Sequence, residues 1–413
     1  MPSYLKSLEP ATTSTLGKSA SPGTRLLSID ALRGLVMIIM ALDHVRDFFH
    51  ASAAVFSPTD LSRTTPILFF TRWTTHFCLP VFMFLAGTGV YFYGRNRTRG
   101  QLSRFLWTRG LWFIALELTV MQFAYNFNFS WHFLILLLIL WIFGICMLAM
   151  AALVYVPMRW LAALSVSVMV LHNCLDGIRA QQFGFVAWAW NLLHQPGVIP
   201  VAGKLVLVTY TFLPWIGVMA AGFCFGRIFQ LEPEARRRIM LRLGLAMSIA
   251  FIALRAVNHY GDPAPWAHQK SALFTVLSFL NCTKYPGSLD FLLMTLGPAL
   301  LVLAWFDGRK FSTANPLIVF GRVPMFYFVL HFYLIHVLAV LAAWLRYGNA
   351  AARFVFNPLP SMGGPAKLFP SPFGYSLWTT YGVWLLVLLL LYLVCRWFAN
   401  VKSRRRDWWL SYL

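Results

Sequence analysis

The sequence lacks the motifs of several common enzyme classes. It contains no P-loop, no GxGxxG motif after a strand and no HExxH motif. Its six cysteines form no CxxC pair and no metal-binding spacing. These absences argue against a soluble nucleotide-binding enzyme and against a cysteine- or histidine-ligated metal centre, so we expect no metal cofactor.

Long apolar runs dominate the chain instead. Hydrophobic residues make up 59% of the 413 residues, and charged residues make up only 11%. Runs of about 20 apolar residues suit helices that cross a bilayer. The sequence therefore predicts an all-α polytopic membrane protein, a bundle of about ten transmembrane helices. The predicted spans are 28–49, 68–93, 104–126, 132–155, 159–174, 205–229, 238–257, 286–305, 315–344 and 374–398.

Acidic residues are scarce, and the positive charge is distributed unevenly. The chain has 13 Asp and Glu residues against 34 Lys and Arg residues, a formal net charge of +21. In a soluble protein this excess would indicate a nucleic-acid partner. Here the basic residues concentrate in the two tails and the even-numbered connections, so the positive-inside rule places both termini in the cytoplasm. We therefore expect no nucleic-acid partner and a multi-pass protein of the plasma membrane, interpreted as a bacterial inner membrane.

The chain divides into one membrane domain and two tails. Residues 1–24 are polar and rich in Ser, Thr, Pro and Gly, which predicts a disordered cytoplasmic tail without a signal-peptide core. Residues 25–400 form the predicted membrane domain. Residues 401–413 form a basic cytoplasmic tail.

The odd-numbered connections are long and are expected to cover the outer face of the bundle. Connections 175–204, 258–287 and 345–373 are rich in Gly, Pro and Trp. Cys174 and Cys282 fall near outer helix ends, which leaves a disulfide between them open.

The first predicted span carries many ionisable side chains for a membrane helix. Such groups tend to face a protein interior or a water-filled cavity, so this helix is expected to line a functional site. Arg33 and His44 are eleven residues apart, three helical turns, and share one face. Asp43, Asp47 and His50 follow an i, i+4, i+7 spacing and form a neighbouring stripe. An imidazole beside a carboxylate suits acyl transfer, and a deep arginine can bind phosphate.

Other candidate residues are expected near the same outer end or inside the membrane. Arg72 and His76 are four residues apart and share a helix face. Lys284 and Ser288 precede the eighth span, where a helix N-terminus can hold an anion or a carbonyl oxygen. His331 lies within the apolar run of the ninth span. Polar residues with a weaker signal are His132, Asn173, Asp176, Asn258, His259 and His336.

Five stretches of the sequence carry a family resemblance. They are IDALRGLVMIIMALDH, FCLPVFMFLAGTGV, LPWIGVMAAGFCFG, KYPGSLDFLLMTLGPALL and NPLIVFGRVPMFYFVLH. Together they resemble the heparan-α-glucosaminide N-acetyltransferase-like family of the transmembrane acyltransferase superfamily, from about residue 25 to 400. The resemblance implies a ten- or eleven-helix enzyme that takes an acyl group from cytoplasmic acyl-CoA and delivers it to a sugar on the far side.

The resemblance also implies two histidines. The family histidine lies in a His-Ala-Ser stretch, which matches His50-Ala51-Ser52. A related group of acyltransferases that modify surface polysaccharides has an Arg followed eleven residues later by a catalytic His, which matches Arg33 and His44. This chain departs from the heparan enzyme at two positions. That enzyme has no basic residue at the position of His44, and it tends to have an acidic residue at the position of His76.

We therefore predict a histidine-dependent membrane acyltransferase that uses acyl-CoA, most simply acetyl-CoA. The acceptor would be a hydroxyl or amine of an extracytoplasmic glycan or glycolipid, and membrane lipids would surround the bundle. His44 is the first candidate for general base or acyl carrier, with Asp43 or Asp47 orienting it, and His50 is the second. Arg33 would lie near the donor phosphates.

Two other classes of protein stay open at this stage. A transporter or flippase of a lipid-linked sugar or small organic anion also uses buried Arg, Asp and His residues. No inverted repeat with matching broken helices supports that alternative. A regulatory subunit without chemistry is the third reading. The sequence does not identify the acyl group or the acceptor. It also leaves open whether an acyl-enzyme forms or transfer is direct, and whether the protein forms a homodimer.

Overall fold

Helices make up most of the chain in the computed structural model, which describes residues 26–128, 134–362, 364–405, 407 and 410. The predicted tail 1–24, His132 and most residues after 405 lie outside the described residues. The α-helices are α1 Leu27–Phe49, α2 Pro66–Thr74, α3 Cys78–Gly94, α4 Arg99–Leu116, α5 Gln122–Asn126, α6 Ile139–Leu153, α7 Met158–Leu171, α8 Ala187–Leu193, α9 Phe212–Phe225, α10 Pro233–Val257, α11 Ala272–Leu280, α12 Leu289–Phe306, α13 Pro316–Arg322, α14 Pro324–Tyr347 and α15 Leu377–Arg404.

Seven helical segments within the described residues are long and apolar enough to cross a membrane. They are Pro66–Gly94, Met158–Leu175, Phe212–Gln230, Pro233–Val257, Leu289–Phe306, Pro324–Arg353 and Leu377–Arg404. Helices also lie at the other three predicted span positions, but α1 and α4 carry more charge and α6 has only 15 residues. The chain is a mostly helical, multi-pass membrane protein.

A small sheet corrects the start of two predicted spans. Its strands are β1 Ile135–Leu137, β2 Gly197–Val201 and β3 Lys204–Val208, in the order β1-β3-β2. Strand β1 is parallel to β3, and β2 is antiparallel to it. The predicted helices over 132–155 and 205–229 therefore begin several residues too early. A short apolar run fits a strand as well as a helix, and the partner strand that decides between them is distant in sequence.

Helix α1 lies at the centre of the bundle. It packs against α3, α12, α13, α14 and α15. Its contact with α13 is a direct approach of two backbones. A Cβ atom on Gly34 would lie 1.9 Å from the carbonyl oxygen of Leu317, and one on Gly321 would lie 1.9 Å from that of Asp30. Small residues at such contacts let membrane helices pack closely.

Helices α3 and α9 make a second contact of this kind. A Cβ atom on Gly87 would lie 2.0 Å from the carbonyl oxygen of Met219, and Thr88 Oγ1 donates to the carbonyl of Gly222 at 3.0 Å. Gly87 therefore lies at a close contact between two helices, whereas a Cβ atom on Gly89 would meet no atom within 4 Å.

The disulfide left open by the sequence does not form. Cys174 is an exposed free thiol and Cys282 a buried one. The Cys174 sulfur instead lies 3.5 Å from the hydroxyl of Tyr260.

Replacing Gly87 by alanine is expected to destabilise the bundle. The new methyl group would press on backbone atoms of α9, which cannot rotate away as a side chain can. Overpacking of this kind costs about 1–3 kcal/mol of the free energy of unfolding. Thermal unfolding of the purified protein in detergent measures the effect. Gly89→Ala is the matched control and should unfold like the wild type; equal stability of the two variants would contradict the close contact.

Candidate active site

A cavity of about 590 Å³ opens at the carboxyl-terminal end of α1. Its walls come from α1 and the segment after it, the end of α2 and the start of α3, strands β1 and β3, the loop before α12, helix α14 and the connection before α15. Two of the three long connections expected to cover this end, 258–287 and 345–373, contribute to the wall directly. The polar side chains in the wall that are described below are Asp43, His44, Arg46, Asp47, Arg72, Tyr210, Lys284 and Tyr285.

Arg46 connects the two carboxylates near the carboxyl-terminal end of α1. Its Nη2 atom donates to Asp43 Oδ1 at 2.9 Å and to Asp47 Oδ1 at 2.7 Å, and the residue is only 3% exposed. Arg72, from α2, forms an ion pair with the other oxygen of Asp43. Two guanidinium groups therefore compensate two carboxylates that would otherwise be costly at membrane depth. The sequence analysis gave Arg46 no role, although its i, i+3 spacing from Asp43 was visible.

His44 faces this network from the next position on α1. Its Nδ1 atom lies 3.9 Å from Asp47 Oδ2, within ion-pair range and beyond hydrogen-bond range. The ring centroid lies 4.2 Å from that of Phe332 and 5.2 Å from that of His331. Its side chain is 15% exposed, so it is held by packing and still reaches the cavity. The predicted neighbourhood of His44 and Asp47 is therefore present.

His331 supports the His44 ring from α14 and does not line the cavity. Its Nδ1 atom lies 2.6 Å from the carbonyl oxygen of Phe328 and 3.1 Å from that of Tyr327. Carbonyl oxygens only accept, so Nδ1 carries the proton. Its buried Nε2 atom has no hydrogen-bond partner among the described residues.

Arg72, Tyr285 and Tyr210 bring hydrogen-bond donors and positive charge to the cavity beside Asp43. Arg72 Nη2 lies 3.4 Å from the hydroxyl of Tyr285, which lies 3.4 Å from the hydroxyl of Tyr210. Partial burial favours a higher pKa for Tyr285, but Lys284 and Arg72 outweigh it, and the pKa lies below its usual value. A more acidic phenol is a stronger donor to a developing negative charge. Tyr210 was not among the predicted site residues, since no local motif marks it.

Arg33 and His50, both predicted site residues, lie away from the cavity wall. Arg33 donates to Asp30 Oδ1 at 3.3 Å and to the carbonyl of Gly321 at 3.0 Å, so it fastens α1 to α13. His50 is the residue after α1 and adopts an extended backbone conformation. Its Nδ1 atom accepts from the amide of Ser52 at 3.2 Å. Burial and the nearby Arg46 hold the pKa of His50 below its usual value.

His76 and Ser288 are also absent from the cavity wall. His76 is 3% exposed, and its ring lies 5.4 Å from that of Phe291. Ser288 caps α12 by accepting from the amide of Phe291 at 3.1 Å, and it donates to Asp262 Oδ2 at 2.6 Å. The structure thus gives Ser288 a role in ordering the loop that carries Lys284 and Tyr285.

The fold and the cavity define a multi-pass helical membrane protein with a histidine–carboxylate site at one end of its central helix. The family model described as heparan-alpha-glucosaminide N-acetyltransferase, catalytic, matches residues 25–260. The chain belongs to this family, as the five sequence stretches indicated, and the family is one of membrane acetyltransferases. No curated protein matches the chain. The matched segment includes Asp43, His44, Asp47 and Arg72.

Removing Arg46 is expected to destabilise the protein strongly. Arg46→Met leaves the Asp47 carboxylate without its guanidinium partner, and breaking a buried ion pair on one side costs about 3–5 kcal/mol of the free energy of unfolding. Chemical unfolding in detergent, followed by tryptophan fluorescence, measures the loss. Adding Asp47→Asn removes the uncompensated charge and should restore part of the stability. Arg63→Met, at an exposed position, is the control, and equal stability of Arg46→Met and Arg63→Met would contradict the role of Arg46.

Proposed function

We propose that this protein transfers an acetyl group from acetyl-CoA to a hydroxyl or amine of an extracytoplasmic glycan or glycolipid, with His44 as the reacting base or acyl carrier. Membership of the family supports a transferase, and the family uses acetyl-CoA as donor. The observation that carries the choice of residue is the position of His44. It lines the cavity with Asp47 Oδ2 at 3.9 Å from its Nδ1 atom.

Neutral His44 can act in two ways. As a general base it accepts the proton of the acceptor hydroxyl or amine while that group attacks the thioester carbonyl, and the departing thiolate then takes the proton. As a nucleophile it first takes the acetyl group while the coenzyme A thiolate leaves; the acceptor then attacks the acetyl-imidazolium, His44 departs as the neutral ring, and the thiolate takes the acceptor's proton. In both cases the ring becomes positively charged, and Asp47 stabilises that charge. Catalytic contacts of this kind often tighten only when substrate binds.

The cationic side chains and the phenol that line the cavity suit the negative charge that develops during acyl transfer. Attack on a thioester places a negative charge on the carbonyl oxygen, and preorganised donors lower the energy of that state. Lys284, Arg72 and the Tyr285 hydroxyl line the cavity together. They also offer partners to a carboxylate or hydroxyl groups of a sugar acceptor. Arg46, Arg72 and Lys284 outnumber Asp43 and Asp47, so the wall carries net positive charge.

The proposed topology directs the reaction across the membrane. The excess of basic residues in the tails and even-numbered connections favours a cytoplasmic location for both termini of a ten-span bundle in the plasma membrane. The carboxyl-terminal end of α1 and its cavity would then face the extracytoplasmic side. The donor would enter from the cytoplasmic side, and the acceptor would enter through the connections that line the cavity.

Replacing His44 is expected to abolish the reaction. General base catalysis contributes about 10²–10⁴-fold, so His44→Gln should lower the rate of acetyl transfer or acetyl-CoA hydrolysis by at least about 100-fold. Purified protein in nanodiscs with radiolabelled acetyl-CoA provides the assay. His259→Gln, at an exposed position outside the cavity wall, is the matched control.

His50→Gln, tested in the same assay, separates the two histidine assignments. Full loss with His50→Gln and a normal rate with His44→Gln would move the reacting group to the loop after α1. A wild-type protein that neither transfers nor hydrolyses acetyl-CoA would remove the enzyme proposal. Uptake of a sugar or organic anion by proteoliposomes without acyl-CoA would then favour a transporter.

A further inference from the structure

A second cleft, of about 960 Å³, lies between the carboxyl-terminal end of α3 and the first turns of α4. It is lined by Tyr93, Arg97, Arg104, Phe105 and Arg109, together with three polar side chains. Helix α3 also contributes Cys78 to the cavity described above. The rise of 1.5 Å per residue places Cys78 and Tyr93 about 22 Å apart along the helix axis. The cleft is therefore a separate site, at the opposite end of α3.

The cleft contains a preorganised row of cations and rings. The rings of Tyr93 and Phe105 stack with centroids 3.7 Å apart and planes 18° apart. The Arg97 guanidinium lies 3.8 Å from the Tyr93 ring centroid, and that of Arg109 lies 5.1 Å from the Phe105 centroid. Stacking on aromatic faces fixes guanidinium groups that would otherwise lose rotamer freedom on binding a ligand.

Two of these arginines are positioned for an external partner. Arg97 and Arg104 are exposed, and neither forms a salt bridge with a carboxylate among the described residues. Arg97 donates only to the backbone carbonyl of Tyr93, at 2.8 Å. The loop before α4 is held by a capping box, in which Thr98 Oγ1 accepts from the amide of Gln101 and Gln101 Oε1 accepts from that of Thr98. The site is thus cationic, fixed in shape and open.

We propose that this cleft binds the phosphate groups of an anionic ligand. Planar guanidinium groups match phosphate oxygens in two-point hydrogen bonds, and the volume of the cleft is that of a typical small-molecule site. Two sources share this chemistry, the nucleotide end of the acyl donor and the head group of an anionic phospholipid. The donor source rests on the proposed function, whereas phosphate binding itself does not. Arg33, the sequence-based candidate for donor phosphates, is engaged by Asp30 and Gly321 instead.

Binding of coenzyme A to the protein in phosphatidylcholine nanodiscs tests the donor source. The double variant Arg97→Gln/Arg104→Gln should raise Kd by at least about tenfold, since one lost charge-assisted contact corresponds to roughly that factor. Arg104→Lys should lose less affinity for coenzyme A than the double variant, because lysine keeps the positive charge but lacks the two-point hydrogen-bonding geometry of the guanidinium group. Arg95→Gln, exposed and outside the lining of the cleft, is the control and should bind like the wild type. Equal elution and unfolding temperatures of all variants confirm folding.

The lipid source is tested by native mass spectrometry of the same proteins with phosphatidylglycerol. Loss of bound phosphatidylglycerol in the double variant, with coenzyme A affinity unchanged, assigns the cleft to a lipid head group. Unchanged binding of both probes would overturn the proposal. Arginine-dependent binding of coenzyme A by a protein that transfers no acetyl group would keep this inference and remove the proposed function. If the double variant transfers acetyl groups with an unchanged KM and binds lipid like the wild type, the proposed function is kept and this inference is removed.

Discussion

The ion pairs of Asp43 with Arg46 and Arg72 are the interaction on which the site depends. Charged groups on a helix at the centre of a membrane bundle are costly unless they pair with one another or face a water-filled cavity. Arg46 pairs with both Asp43 and Asp47 from within the helix, and Arg72 adds a second partner for Asp43 from α2. This pairing lets α1 keep charged groups at its buried end. It also leaves the second oxygen of Asp47 facing His44, so one network serves both the stability of the helix and the chemistry proposed for it.

The positions of the helices could be predicted from hydropathy because each membrane helix satisfies its own backbone hydrogen bonds. The strands β1 and β3 could not be predicted from hydropathy, because their pairing joins segments about 70 residues apart in sequence. Helical phase correctly grouped Asp43, His44 and Asp47. His50 lies just beyond the end of α1 at Phe49 and is not part of the cavity wall. A periodic spacing predicts a shared face only as far as the helix continues.

The remaining site residues show a second limit of local sequence. Lys284 and Tyr285 reach the cavity from a loop between α11 and α12, and His331 reaches His44 from α14. Lys284 and His331 were recognisable as polar groups near the expected end of the bundle, but their contacts depend on how the helices pack. Arg33 shows the converse. Its spacing from His44 was read correctly along the helix, yet the close approach of α13 gives it a partner that no spacing on α1 reveals.

The backbone-to-backbone contacts of α1 with α13 and of α3 with α9 have a consequence for how such a protein can diversify. Helices joined through glycine cannot slide or separate without losing these contacts. The frame that holds Asp43, His44 and Asp47 therefore leaves little room for adjustment to a new acceptor. The segments after α1, before α12 and before α15 each contribute to the wall of the cavity, and the first and last of them are joined by a backbone hydrogen bond between Ala51 and Tyr375. Under the proposed function, acceptor range can thus change through the side chains of these connections while His44 stays in place, a division between a rigid frame and a variable rim.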